Sequence, residues 1–492
     1  MSRVPLSRRF SCKLSKALAT LLVFSLSACV NLAPDYERPA VPTPEAWPEG
    51  PAYPKTAASR PDEIMAADIA WRDFFLHEPL RQVIGMALEN NRNLRIAALN
   101  IEKTRAMHQL QRSQLFPSVN AQGSGTHQRI PGDLSNTGEP MTTHVYAANV
   151  GVSAYEIDLF GRLRNLSEAA QEEYFATEEA RRATQISLVA EVANMYLLLA
   201  ADRERLQLAQ ATLSNQQNSY NLINRSFELG ASSALDLRQA QISVETARVD
   251  VARYLNQVAV DENALDLLVG TSVPSGLRAR EAFDSITVLP NLLPSDIPSA
   301  VLLRRPDILQ AEHRLKGANA NIGAARANFF PSISLTGSVG SASTALSNLF
   351  KSGTGAWSFI PAITLPIFNA GANTARLEVA EADEQIAVAS YERAIQSAFR
   401  EISDALAGYG TIDEQLSAQR ALEEASSESY RLTEARFKSG ADSYFNVLVM
   451  QRGMYSAQQA TIGVRLARQA NLITLYKALG GGWQEQGTEA GR

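Results

Sequence analysis

Few residue types in this 492-residue chain could carry covalent or metal chemistry, and their spacing narrows that chemistry further. Five histidines stand at His77, His108, His127, His144 and His313. No two of them form the H-E-x-x-H pair that would hold zinc on a helix face, and no glycine-rich phosphate loop of the G-x-x-x-x-G-K type occurs. The sequence therefore predicts no catalysis, no metal site and no nucleotide hydrolysis. The cysteines are Cys12 and Cys29, too few for a disulfide framework or a cysteine metal site once the first residues are removed.

Cys29 has a different chemistry. Arg8, Arg9, Lys13 and Lys16 form a basic head, Ala17 to Ser27 an apolar stretch, and Leu26-Ser27-Ala28-Cys29 a run of small residues. This is the pattern of a secretory signal over residues 1–28. The apolar stretch is too short to span a bilayer, which takes roughly 20 residues. Leu-Ser-Ala-Cys also matches the bacterial lipobox, so Cys29 is expected to carry a covalent lipid, the one non-protein group foreseen. Val30 follows it where an aspartate would signal retention at the inner membrane, so the outer membrane is the expected address. A single lipid gives limited membrane affinity by itself. The net charge is −5; loss of five basic and no acidic residues with the signal takes the mature chain to −10, which argues against a nucleic-acid partner.

The elements behind these residues repeat. Leu115-Phe116-Pro117-Ser118-Val119 returns 214 residues later as Phe329-Phe330-Pro331-Ser332-Ile333, and Phe227-Glu228-Leu229-Gly230-Ala231 returns 210 residues later as Phe437-Lys438-Ser439-Gly440-Ala441. Two copies of one substantial module are expected, over 76–290 and 298–482. Before them lies a proline-rich, lipid-anchored extended segment, 29–75, and after them a tail, 483–492.

Within the copies, Val192, Leu199, Leu206, Leu213, Tyr220 and Phe227 recur every seven residues, as do Ile395, Ile402, Tyr409 and Leu416, and Leu237, Val244, Val251, Val258 and Leu265. A sustained apolar heptad predicts supercoiled helices. Proline is absent from 162–229 and from 372–438, which predicts helices of roughly 100 Å at 1.5 Å per residue. Shorter runs, 76–115 with 234–269 and 307–329 with 443–479, are expected to stack beside them, with the Gly230 and Gly440 turns together at one end.

The other end reads as strands, about 118–130, 145–158, 332–342 and 356–367. Ser332 to Gly340 alternates small polar residues with apolar residues or glycine, the period of a transmembrane β-barrel. Trp357, Phe359, Ile363 and Leu365 form one stripe; Ala148, Val150, Val152 and Ala154 form another. Pro361 is contrary evidence for a strand interior. Segments 131–145 and 343–355 read as loops. Four strands cannot close a barrel, and open edges in lipid leave backbone groups unpaired. The strands therefore require other subunits, and a homo-oligomer is expected.

Glu156-Ile157-Asp158-Leu159-Phe160-Gly161-Arg162, Arg304-Arg305-Pro306-Asp307-Ile308, Ala318 to Ala327 with Phe329-Phe330-Pro331, and Tyr476-Lys477-Ala478-Leu479-Gly480-Gly481-Gly482-Trp483 resemble the TolC family of outer-membrane efflux proteins, in its OprM/NodT lipoprotein branch. The resemblance covers essentially the whole mature chain. It implies an α+β membrane protein: a homotrimer with a twelve-stranded β-barrel, four strands per subunit, continuing into a long periplasmic α-helical barrel. It implies the passive exit duct of a tripartite multidrug pump, with a periplasmic adaptor and an inner-membrane resistance-nodulation-division transporter as partners.

The resemblance also puts the Gly230 and Gly440 turns at the periplasmic tip. Phe227, Gly230, Ala231, Phe437, Gly440 and Ala441 are then candidate adaptor contacts. Phe445 and Val449, four apart on one helix face, and Arg452 are candidate gate residues, with Asp236 in the other copy. Relatives often carry Leu-Asp-x-Gln-Arg where this chain reads Leu448-Val449-Met450-Gln451-Arg452, which favours an apolar constriction over an acidic one. Leu235-Asp236-Leu237 corresponds to Phe445-Asn446-Val447, and this mismatch marks where the copies differ at the tip. Ducts for metal ions or for type I protein secretion, and a pore-free coiled-coil lipoprotein, remain as alternatives.

Overall fold

The structure, a computed structural model, describes residues 31–53, 68–279 and 299–483. The signal segment, Cys29 and all of the tail after Trp483 lie outside the described residues. The chain divides into two compact units, and neither is one sequence repeat. The first takes the chain up to Ala40 with Ile101–Thr177 and Ala311–Tyr391; the second takes Val41–Asn100, Glu178–Gln310 and the chain from Glu392 onward. The repeats at 76–290 and 298–482 are therefore interleaved, each giving residues to both units.

In order along the chain stand α1 (Trp71–Phe74), α2 (Glu78–Asn90), α3 (Arg92–Ser113), β1 (Val119–Ile130), β2 (Met141–Ile157), α4 (Arg162–Glu228) and α5 (Ala234–Val269). The second half repeats the plan with α6 (Pro306–Ala327), β3 (Ser332–Ser343), β4 (Gly355–Thr364), α7 (Ala372–Lys438) and α8 (Tyr444–Ala478). Helices α4 and α7 are each 67 residues long, as the proline-free runs predicted. The expected run 76–115 is instead broken at Asn91, whose backbone is extended (φ −63°, ψ 129°) and whose side chain caps α3 by accepting from Leu94 N at 2.9 Å.

In the first unit the four strands form one antiparallel sheet in the order β1-β2-β3-β4, so the two copies meet strand against strand at β2 and β3. Strand β2 starts at Met141, four residues before the expected 145, because the β-branched Thr142, Thr143 and Val145 pair with β1 rather than joining the loop. Strand β4 ends at Thr364, which leaves Leu365 outside the sheet. Pro361 does lie within β4, opposite Leu335, on a strand that is an edge within this chain.

The segment 31–40 is laid along α6 of this unit rather than hanging free. Asn319 donates to Pro34 O at 2.8 Å and Arg326 to Leu32 O at 3.2 Å. Arg38 grips the buried Glu312 through three bonds, from Nε at 3.2 Å and from Nη2 at 2.9 and 2.8 Å. Burial opposes the Glu312 charge, and bonds from Arg38 and Lys316 outweigh it, holding the carboxyl below the usual range.

In the second unit about half of the heptad positions are buried, Val192, Leu199, Val244, Leu265, Ile395, Ile402 and Leu416, whereas Leu206, Leu213, Tyr220, Leu237, Val251, Val258 and Tyr409 are half-buried and Phe227 is exposed. Helix α4 has a stretch long and apolar enough to cross a membrane, yet more than half of that stretch is buried inside the protein. Residues up to 75 were expected to be extended, but Trp71, Phe74 and Phe75 are fully buried and Phe74 stacks on Tyr476 with ring centroids 3.9 Å apart. Burying three large aromatic rings gives this stretch the packing that a free tether lacks.

Candidate functional site

The sheet has two chemically different faces. Val119, Ala121, Val150, Val152, Val339, Leu335, Trp357, Phe359 and Ile363 share one face by their pairing, and most are exposed in the single chain. On the other stand Asn120, Gln122, Ser124, Thr126, Gln128, Asn149, Thr336, and Ser338 bonded to Ser358 at 2.8 Å. The first face suits lipid except at its β1–β2 turn end, where His127, His144 and Arg129 lie, and the second suits water and is uncharged over these positions.

A β-bulge keeps the faces in phase. The pairing steps from Val152↔Gly337 to Tyr155↔Leu335, so β2 spends one extra residue. Ala154 sits in that bulge at φ 51°, its N–H donating to Thr336 Oγ1 at 3.0 Å, and is not a continuation of the Val150–Val152 stripe as the alternation predicted. Beyond the bulge Tyr155 and Ile157 return to the apolar face opposite Leu335 and Ile333.

Below the strands the Glu156–Arg162 motif closes the turn into α4. Arg162 donates to both Glu156 oxygens at 2.9 and 2.6 Å, and Arg164 reaches Asp158 at 3.3 Å. Phe160 stacks on Phe330 of the second copy at 4.7 Å, beside a cavity of about 440 Å³ lined in part by Glu156, Asp158, Asn369 and Arg376. In the second unit Arg305 of the Arg-Arg-Pro-Asp motif is buried and donates to Asp307, Glu401 and, at 2.7 Å, the Ala478 carbonyl at the end of α8. The motif thus ties α6, α7 and α8 together.

The tip is built twice on one plan. Helix α4 ends with Gly230 at φ 76°, Ala231 N donating to Ser226 O at 2.7 Å; α7 ends with Gly440 at φ 78°, Ala441 N donating to Arg436 O at 2.9 Å. This left-handed closure favours glycine because a Cβ crowds the following carbonyl. The two turns come together over a core of Ile223, Ala240, Tyr444, Val447 and Leu448, flanked by Tyr220, Leu237, Tyr430 and Phe437. Burial pushes the Tyr444 hydroxyl up to about 12, so it stays a neutral phenol.

Each sequence-predicted residue has a defined place there. Phe445 and Val449 are 54% and 40% exposed, on the face of α8 away from Tyr444, Val447 and Leu448, and Arg452 is exposed one turn on. Asp236 is engaged in a capping box: it accepts from Ser233 N at 3.1 Å and from Ser233 Oγ at 2.6 Å. Its counterpart Asn446 donates instead to Asp442 at 2.6 Å, and Asp442 pairs with Arg436 at 3.3 Å. The bonds from Asn446 and Ser443 hold the Asp442 carboxyl below the usual range. Phe227, Gly230, Ala231, Gly440 and Ala441 are exposed, whereas Phe437 is half-buried against Tyr444 at 5.5 Å. A ring committed to that core has only part of its surface for a partner.

The sequence reading missed a second apolar row. Leu235, Ile242 and Val249 are exposed seven residues apart on α5, beside a groove of about 460 Å³ lined by Arg238, Gln241, Glu245 and Thr246. Their heptad spacing runs two residues ahead of the Leu237, Val244 and Val251 ladder. The repeat places Ile242 of the first copy against Arg452 of the second, so the copies differ in charge as well as in shape.

It also missed an acid pair in the helical unit. Asp202 of α4 and Asp261 of α5 are 3% and 2% exposed. Arg205 donates to Asp202 at 2.6 Å and Gln257 to Asp261 Oδ1 at 2.9 Å, while Asp261 Oδ2 is buried without a donor. Burial first, then the facing Asp202 carboxyl, push Asp261 up to about 6.

Comparison with known proteins agrees with this geometry. The outer membrane efflux protein family matches residues 83–271 and 297–481, the two copies in turn. The chain is 49% identical over 479 residues to a probable efflux pump outer membrane protein, TtgC, of Pseudomonas putida, covering 97% of this chain and 98% of that one. It is 42% identical over 467 residues to the outer membrane protein OprJ of Pseudomonas aeruginosa, covering 95% and 96%. Among solved structures, the open state of the MtrE outer membrane channel of Neisseria gonorrhoeae superposes with a TM-score of 0.83 at 39% identity, over 93% of this chain and 100% of that one. A membrane protein from Pseudomonas aeruginosa superposes with a TM-score of 0.86 at 41% identity, over 93% and 98%. With both repeats matched and whole-length relatives this similar, the chain belongs to the outer membrane efflux protein family.

Proposed function

We propose that three copies of this chain join edge strands β1 and β4 into a twelve-stranded barrel in the outer membrane, and that the enclosed duct passes small organic molecules outward. The observation that carries this reading is the two-faced sheet: an exposed apolar face, a polar face, and two unpaired edges. An open edge in hydrocarbon costs several kcal/mol per unsatisfied backbone group, so the sheet has to close. Four strands per chain make three chains the fit to a twelve-stranded ring. The polar face then lines the lumen.

The substrates are organic solvents and antibiotics, as in the relatives named for toluene, solvent and antibiotic efflux. A lining mainly of amide and hydroxyl groups suits such cargo, since its one carboxylate, Glu156, is already paired with Arg162. The duct spends no energy itself; an inner-membrane transporter drives the flux and a periplasmic adaptor bridges the two. Phe227, Gly230, Ala231, Gly440 and Ala441, with the free part of Phe437, form the adaptor surface. Phe445 and Val449, with Arg452, form the constriction, and an acyl chain on Cys29 adds a second hold on the membrane. Phe445 and Val449 are already turned away from the core of their own chain, which supports the constriction.

The test is complementation. Cells lacking their own efflux duct, but with its transporter and adaptor, should regain tolerance to toluene and to several antibiotic classes when this chain is expressed. The purified protein should have the mass of three chains by native mass spectrometry. A correctly inserted trimer that restores no tolerance with any adaptor pair would refute the efflux reading, and a monomer would refute the barrel.

A further inference from the structure

We propose that His127 and His144 form a binding site for a first-row divalent cation, such as Cu²⁺ or Zn²⁺, on the β1–β2 hairpin. The two residues are direct cross-strand partners. Their Nδ1 atoms face each other at 2.5 Å, with ring centroids 4.7 Å apart at 70°. Two imidazole nitrogens this close need either an N–H of one ring donating to the other or a metal ion between them. A shared proton serves in the free hairpin, and a metal ion takes the same place.

The geometry accepts the exchange. Directly opposite residues in an antiparallel pair hold their Cβ atoms about 4.5–5.5 Å apart, so both rings reach one ion from a rigid base. Metal–nitrogen bonds of about 2.0–2.1 Å at square or tetrahedral angles set two ligand nitrogens about 3–3.4 Å apart. The rings therefore part by less than about 1 Å, which side-chain torsion alone provides for exposed residues. Tyr146 stands edge-on to His127 at 5.4 Å and 82°, restricting that ring.

Ligand type selects the metal. Imidazole suits copper, zinc and nickel, whereas calcium and magnesium want oxygen donors. Among the described residues no group of three or more His, Cys, Asp or Glu side chains is placed to hold a metal ion. Both rings stand three residues from the β1–β2 turn, at the rim of the sheet, so the remaining positions go to water and the site is open and exchangeable. Arg129 lies one step further along the same face of β1 and lowers affinity for any cation. The other histidines lack this arrangement: His313 Nδ1 is paired with Glu172 at 2.7 Å, and His77 Nδ1 accepts from Leu80 N at 3.4 Å. The inference does not depend on the duct reading.

The test uses untagged full-length protein in detergent, stripped with chelator and titrated with Cu²⁺, with electron paramagnetic resonance as a second readout. One Cu²⁺ per chain is expected, with hyperfine coupling to two imidazole nitrogens. His127→Ala and His144→Ala should each weaken binding by at least about tenfold and remove one nitrogen coupling. Arg129→Gln should tighten it about five- to tenfold at low salt, from a unit charge some 7 Å from a divalent ion in water. His108→Ala should leave it unchanged. Wild-type protein that binds no Cu²⁺, or a His127→Ala/His144→Ala double variant that binds as the wild type does, would overturn the proposal.

Discussion

Asp261→Asn should stabilise this protein near neutral pH and leave it unaffected in acid. Asp261 is buried against Asp202, and one of its oxygens has no donor. Its pKa rises from 3.8 to about 6, mainly because burial disfavours the charged form. A raised carboxyl contributes stability that is fully present below pH 3.8 and is lost as pH climbs through about 6. A rise of that size corresponds to a few kcal/mol at most, and relaxation around the pair leaves about 2 kcal/mol observable.

The amide keeps the shape, still accepts from Gln257, and presents N–H where Oδ2 now faces Asp202. For a chain this long, about 2 kcal/mol moves the midpoint by roughly 2–4 °C. The assay is thermal unfolding of the helical signal at one scan rate from pH 4 to 8. Wild type and variant should coincide near pH 4, separate between pH 4 and 6.5, and hold a constant gap above that. Curves that stay parallel throughout, or a variant less stable at pH 8, would refute the argument that the acid pair stores this energy.

Other perturbations separate the remaining parts of the structure. Phe445→Ala with Val449→Ala should raise single-channel conductance in planar bilayers while trimer mass stays constant; unchanged conductance would end the constriction proposal. Arg305→Met should cost about 1–3 kcal/mol, because the buried Ala478 carbonyl loses its donor while Asp307 and Glu401 stay solvated; a midpoint loss under 1 °C would contradict this. Gly230→Ala and Gly440→Ala should each cost about 1–2 kcal/mol through the positive φ, with nothing near either Cβ to add a clash, so both should lower the unfolding midpoint by similar amounts.

Helix and strand placement was legible because it rests on local signals. The proline-free runs set α4 and α7 to within a residue or two, since nothing inside them could interrupt the backbone ladder. The Ser332–Gly340 alternation set β3, and the repeat set the twin turns at Gly230 and Gly440. The misses were of a different kind. Asn91 breaks a helical run because its side chain both caps α3 and donates to Leu268 O at 2.7 Å, a partner 177 residues away. The bulge at Ala154 depends on Thr336 across the sheet, so β2 alone showed only unbroken alternation.

By itself, then, the sequence determined the periods, the lengths, the duplication and the family motifs, because each is a property of neighbouring residues or of one segment compared with another. The tertiary structure alone decided which residues of the tip are already in use. Asp236 is taken up by its cap and much of Phe437 by Tyr444, while Phe445 and Val449 turn outward. It alone brought Asp202 to Asp261 and Arg38 to Glu312, pairs that no spacing along the chain predicts. The physical reason is that burial, and the electrostatics that burial amplifies, come from atoms far apart in the chain, and only the packed fold sets which of them meet.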